Sequence, residues 1–146
     1  GVEEAEQVLA RWLEIEITES VAMTRPEQAR EQLDALVRLG CSVALDDFGT
    51  GYSSLAYLKA LPVSTLKIDR GFMNGIPDDA NDVAISRAII ALAHSLGLTL
   101  VAEGVETIQQ LAFLKEFKCE MFQGWLYAKA MSADDMTRQL RRDDPL

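Results

Sequence analysis

Residues 42–55 read Ser42-Val43-Ala44-Leu45-Asp46-Asp47-Phe48-Gly49-Thr50-Gly51-Tyr52-Ser53-Ser54-Leu55, and this stretch decides the fold. Ser42 to Asp46 is an apolar run closed by acid, which reads as a strand. Ser53 to Leu61 reads as a short helix ending before Pro62. Between them, Gly49 and Gly51 give the backbone conformations closed to other residues. The hydroxyls of Thr50 and Ser53 can meet a phosphate or cap a helix; a buried structural turn is the plainer use of the same residues. An aspartate pair after a strand is, on its own, commonly a turn or an N-cap.

The same strand-then-helix rhythm extends in both directions. Upstream, Leu13 to Thr18 alternates apolar and polar residues as a strand does. Thr24-Arg25-Pro26-Glu27 reads as a capping box with proline in the first turn. The helix it opens places Ala29, Leu33, Leu36 and Val37 at helical spacing and stops at Gly40. Downstream, Thr65 to Asp69 is a third strand, followed by a long helix from about Asp79 to Leu96 that Gly97 ends. Leu98 to Ala102 is a fourth strand. Thr107 and Gln110 form a capping box for a helix ending near Lys118. Cys119 to Gln123 is one more short strand, and Ser132 to Arg142 a closing amphipathic helix. A βα repeat implies a parallel sheet, either open and doubly wound or part of a (β/α)8 barrel. A whole barrel needs roughly 200 residues or more, and the 146 residues here supply about half of one. No GxGxxG or GxxxxGK[ST] loop follows a strand, which weakens the nucleotide-binding open sheet.

Composition fits one globular domain, with 49% apolar and 25% charged residues. Acidic residues outnumber basic ones, 23 to 14, for a net charge of −9. Bulk nucleic-acid binding needs a basic face and is disfavoured. A small anionic ligand is not, because carboxylates can hold it through a divalent cation. Cys41 and Cys119 are far apart, in no metal-binding pattern, and read as packing residues that begin buried strands in a reduced, cytoplasmic setting. The stretch Gly1 to Trp12 is acidic and amphipathic, unlike a signal peptide. Nothing reaches the roughly 18 apolar residues of a membrane span, though the chain could be the cytoplasmic part of a membrane-anchored protein.

Polar residues recur at one end of successive strands: Glu16 and Glu19, Asp46 and Asp47, Lys67 and Asp69, Glu103 and Glu106, then Gln123. In a parallel barrel these ends converge at one mouth. Carboxylates gathered there repel one another, and a hard divalent cation resolves the repulsion. Oxygen-only ligands favour Mg²⁺, Mn²⁺ or Ca²⁺ over zinc. Taken singly, each residue has a plainer reading. Glu14 would lie on a solvated or helix-facing side, Lys67 would be a surface charge, and Glu103-Gly104 a loop. His94, mid-helix, is structural or exposed. Recurrence across four strands is what outweighs those readings.

Glu16-Ile17-Thr18-Glu19-Ser20, the run Asp46 to Leu55, Lys67-Ile68-Asp69-Arg70, Glu103-Gly104-Val105-Glu106 and Gln123-Gly124-Trp125 occur in the order found in EAL domains, and the chain resembles that family from about Leu13 to Met131. The resemblance implies a modified (β/α)8 barrel with one antiparallel strand, and two-metal hydrolysis of cyclic di-GMP to linear pGpG with Mg²⁺ or Mn²⁺. It implies that Glu16, Asp46 and Asp47 are metal ligands. Lys67 contacts the attacking water, aided by a burial-lowered pKa, and Glu103 serves as base or ligand. Glu106 and Gln123 line the site. Glu19 steadies the loop of Gly49, Thr50, Gly51, Tyr52 and Ser53 and couples it to a dimer interface. Asp69 and Arg70 are structural or substrate-adjacent. The Glu-Ala-Leu signature, an asparagine ligand and a substrate arginine belong upstream of Gly1, so residues 1–146 are expected to be a partial EAL domain without its N-terminal strands. Ala130 stands where the family has proline beside the guanine pocket. Expected partners are cyclic di-GMP, a second copy or the missing half-barrel, and an upstream sensor or GGDEF cyclase domain. Two competing readings are a catalytically silent EAL domain that binds the dinucleotide or a protein, and a different metal-dependent barrel enzyme such as an enolising lyase.

Overall fold

The computed structural model describes residues 9–51 and 55–141. Five strands, β1 (Glu14–Thr18), β2 (Ser42–Phe48), β3 (Thr65–Ile68), β4 (Thr99–Ala102) and β5 (Met121–Phe122), form one parallel sheet in the order β1-β2-β3-β4-β5. Each strand lies beside the one before it in sequence. A doubly wound sheet reverses its strand order at a switch point; this one does not, so the barrel-type winding is the one realised. The connecting helices are α1 (Glu19–Thr24), α2 (Pro26–Leu39), α3 (Leu55–Ala60), α4 (Arg70–Asn74), α5 (Ala80–Leu96) and α6 (Ile108–Glu116), with α7 (Ala133–Leu140) at the end. No helix among the described residues is long and apolar enough to cross a membrane.

Alternation along the strands divides the sheet into two unlike faces. Val43 and Leu45, Leu66 and Ile68, and Leu100 and Ala102 are fully buried in the core beneath the helices. Each large aliphatic side chain so buried contributes about 1.5–3 kcal/mol. The intervening residues belong to the other face, where Glu14 and Glu16 of β1 meet Thr65 and Lys67 of β3.

The helix boundaries follow local chemistry. Gly40 and Gly97 end α2 and α5 with φ of 105° and 68°, a left-handed conformation that favours glycine. Asp79 caps α5, and Thr107 and Gln110 form the expected reciprocal box at α6. The box expected at Thr24 does not form. Arg25 is the N-cap of α2 and makes no side-chain capping bond. Thr24 Oγ1 donates instead to Ser20 O at 2.9 Å, because a short helix, α1, precedes it and claims the hydroxyl. Cys41 and Cys119 stand just ahead of β2 and β5, half-buried rather than buried. Burial pushes the Cys119 thiol up to about 11. His94 Nε2 lies 3.2 Å from Lys118 O and 3.5 Å from Glu120, a structural position as expected.

Candidate active site

The strand ends converge on Lys67. Its Nζ lies 2.7 Å from Glu16 Oε1, 2.6 Å from Glu103 Oε1 and 3.6 Å from Asp46 Oδ1. These partners come from β1, the end of β4 and β2, so the sheet alone assembles them. Glu16 reaches Lys67 across β2, where its register partner is Ala44. Strands β1 and β3 are separated by two inter-strand spacings of about 4.8 Å each. Long side chains bridge that gap because Ala44 fills little of it. Only 5% of the Lys67 side chain is exposed.

Consecutive strand residues point to opposite faces, so Asp46 and Asp47 should not meet one ligand. A bulge removes the difficulty. The β2–β3 register holds at Leu45–Leu66 and resumes at Phe48–Ile68, so Asp46 and Asp47 together oppose Lys67. Such a bulge re-aims side chains. Asp47 has φ of 54°, and its N–H donates to Asp46 Oδ1 at 2.9 Å. An oxygen from each of Asp46, Asp47 and Glu103 falls within 4.8 Å of the others. The donor set is all carboxylate, which suits a hard divalent cation. Asp47 has its pKa raised by burial, then by the charges of Asp46 and Asp69 and a bond to Asp69, with Lys67 opposing. Carboxylates crowded in this way are what a cation relieves, so the residues fit a metal.

Lys67 departs from expectation. Burial does pull its pKa down, but the bonds to Glu103 and Glu16 and the charges of Glu103 and Asp46 outweigh it, and the net direction is upward from 10.5. The ammonium stays protonated at neutral pH. Glu14 is exposed, one of the two placements expected of it, and its Oε2 accepts from Thr65 Oγ1 at 2.8 Å on the polar face.

The remaining site residues surround this centre. Gln123 Nε2 donates to Glu103 Oε1 at 2.7 Å, the oxygen that also meets Lys67. The Glu106 N–H donates to Gln110 Oε1 at 2.7 Å, and Gln110 Nε2 donates to Met73 O at 2.8 Å, which staples the Glu103–Glu106 loop to α4. Asp69 caps α4 through Gly71 N at 2.8 Å. Arg70 packs under Gly104, whose added Cβ would lie 2.5 Å from Arg70 Cβ. Glu19 is fully buried and its Oε2 accepts from Gly49 N at 2.8 Å. Its Oε1 has no partner among the described residues and faces Gly51. Thr50 folds back on Asp47 O, 2.8 Å from its hydroxyl. Tyr52 and Ser53 lie outside the described residues.

Beside Glu103 and Gln123 opens a cleft of ≈ 520 Å³, also lined by Arg70, Glu106, Trp125 and Lys129. The Lys129 ammonium sits 4.7 Å above the Trp125 ring. Sequence reading passed over this aromatic–cation pair. The available signal was its position, just past the last strand end and directly after Gln123.

The EAL domain profile matches residues 2–130. The cyclic di-GMP phosphodiesterase NbdA of Pseudomonas aeruginosa is 49% identical over 132 residues, 90% of this chain and 17% of that protein. A solved MucR phosphodiesterase in complex with c-di-GMP superposes with a TM-score of 0.85 at 47% identity, covering 87% of this chain and 51% of that one. The manganese and cyclic di-GMP complex of Klebsiella pneumoniae BlrP1 gives 0.74 at 35% identity, over 80% of this chain and 30% of that one. The chain thus spans about half or less of the length of these relatives.

Proposed function

Because this chain belongs to the EAL domain family, we propose that it carries the metal-binding and water-positioning side of a phosphodiesterase that hydrolyses cyclic di-GMP to linear pGpG. On this reading residues 1–146 are the C-terminal part of the domain, and the intact protein supplies the strands that complete it. The observation that carries the proposal is the meeting of Glu16, Asp46 and Glu103 on Lys67 beside Asp47.

Asp46, Asp47 and Glu103, with Glu16 at their edge, would hold Mg²⁺ or Mn²⁺. Cations in such a site neutralise charge on the phosphate and lower the pKa of a water. The protein's own residues do the rest. Lys67, protonated, orients the attacking water and offsets negative charge building on the phosphate oxygens. Being protonated, it is not the base. Glu103 accepts the water's proton, and Gln123 fixes its Oε1. Glu19 and the turn at Gly49 to Gly51 hold Asp47 in place. The cleft at Trp125 and Lys129 takes a base of the dinucleotide, with Ala130 in its lining. The protein acts in the cytoplasm, as a dimer, downstream of a sensor or cyclase domain.

The test is turnover of cyclic di-GMP by the intact protein with Mn²⁺ or Mg²⁺. Appearance of pGpG, abolished by EDTA and restored by the cation, supports the proposal. Tight dinucleotide binding by calorimetry with no product under any of these conditions would overturn it in favour of a silent receptor. Retention of Glu16, Asp46, Asp47, Lys67 and Glu103 together speaks for the enzyme, since a receptor needs no water-activating set.

A further inference from the structure

The β2 bulge leaves Lys67 without a regular partner on β2, although it pairs with Val101 on β4. Strands β2 and β3 run in step at Ala44–Thr65 and Leu45–Leu66, then fall out of step until Phe48–Ile68. On the side that presents Glu16, the ladder thus sets β3 against β1 as far as Leu66, one residue short of Lys67. A second contact bypasses β2. Thr65 Oγ1 donates to Glu14 Oε2 at 2.8 Å, and Ser42 Oγ, on the strand between, lies 3.4 Å from the same oxygen. Glu14 precedes Glu16 by two residues, and Thr65 precedes Lys67 by two, so both pairs lie on one face of the sheet. They form parallel rungs between two strands that share no ladder, each crossing β2 over a small residue, Ser42 or Ala44. Thr65 is 4% exposed, so its hydroxyl has little access to water in place of this acceptor.

We propose that Glu14 is a positioning residue: its hydrogen bond to Thr65 steadies β3 against β1 on the bulged side and so holds the Lys67 ammonium on Glu16 and Glu103. The role needs a hydrogen-bond acceptor at this place, not a charge. The effect on turnover rests on the phosphodiesterase reading; the placement of Lys67 does not. A misplacement of about 1 Å at a reacting group can cost on the order of a hundredfold in rate, and a loosened rung costs part of that.

The experiment uses the intact protein and two readouts. A buried, ion-paired ammonium exchanges its protons slowly and gives its own ¹H–¹⁵N signal, which reports on Lys67 without turnover. In Glu14→Ala this signal broadens or disappears, and kcat for cyclic di-GMP falls about tenfold with KM within about twofold. Glu14→Gln, whose carbonyl still accepts from Thr65, restores both. Thr65→Val, of the same shape without the donor, reproduces the alanine variant and serves if that variant folds poorly. An unchanged Lys67 signal in Glu14→Ala and Thr65→Val would overturn the proposal, as would a glutamine variant as impaired as the alanine one. If the unmutated protein turns nothing over, the phosphodiesterase reading falls while the ammonium signal still decides the rung.

Discussion

Lys67 is the residue on which the site's electrostatics turn. It is enclosed by Glu16, Asp46 and Glu103 and holds one positive charge among them. Removing one partner of a buried pair costs about 3–5 kcal/mol; the half-exposure of Glu16 lowers its share. Lys67→Met should therefore lose about 2–3 kcal/mol of metal-free stability in urea titration and recover part of it on adding Mn²⁺, as the cation replaces the lost charge. Unchanged stability would show that water already screens the cluster. Asp47 gives the pH dependence. Its pKa is raised above 3.8, chiefly by burial and Asp46, so protons compete with a cation at a pH where an ordinary aspartate is already ionised. Mn²⁺ affinity measured by calorimetry should weaken as pH falls, starting above the usual aspartate range, and Asp47→Asn should flatten that dependence. At this scale the sequence singles out the acids that meet on Lys67 but not the sign of their interactions with it. The Lys67 ammonium is raised by Glu16 and Glu103, which lie 51 and 36 residues away in the chain, and no local pattern reports such a meeting.

The strands and caps were legible where the signal is local. Gly40, Gly97 and the Thr107–Gln110 box act as their sequence contexts predict. The bulge in β2 was not, because it depends on how Asp46 and Asp47 sit against a single Lys67 on the neighbouring strand. The contact of Glu14 was not legible for a related reason: alternation places it on the face of Glu16, but its partner only emerges once Thr65 stands opposite. The narrow lane at Ala44 is a property of the element too. Ala44 is fully buried and stands between Glu16 and Lys67. Ala44→Val should wedge the pair apart, costing about 1–3 kcal/mol as an overpacked site and lowering turnover of the intact protein at least tenfold. Ala44→Ser, of nearly the same bulk, should keep both. Equal turnover in the two variants would mean that the lane does not govern the contact.

On the scale of the whole molecule, five parallel strands wind in one direction, with Val43, Leu45, Leu66, Ile68 and Leu100 in the core on one side and Glu14, Glu16, Thr65 and Lys67 meeting on the other. Among the described residues both outer strands, β1 and β5, are paired on one side only, and Leu13, Trp12 and Val21 near β1 and Met121 in β5 are 54%, 78%, 61% and 47% exposed. Open strand edges with apolar surface beside them are association sites. Residues 1–146 expressed alone should therefore associate, and light scattering should give a mass above that of one chain at micromolar concentration. A monodisperse monomer would contradict this. The parallel sheet was legible from the βα rhythm, while the choice of barrel-type order over a doubly wound sheet needed the observed strand neighbours. The sidedness of the sheet has an evolutionary corollary. Exchanges among aliphatic residues beneath the helices are filtered by foldability, whereas charge changes on the opposite surface are filtered by chemistry. On the proposed reading, loss of a single acid from that surface would end turnover while the packing beneath the helices still held the fold together.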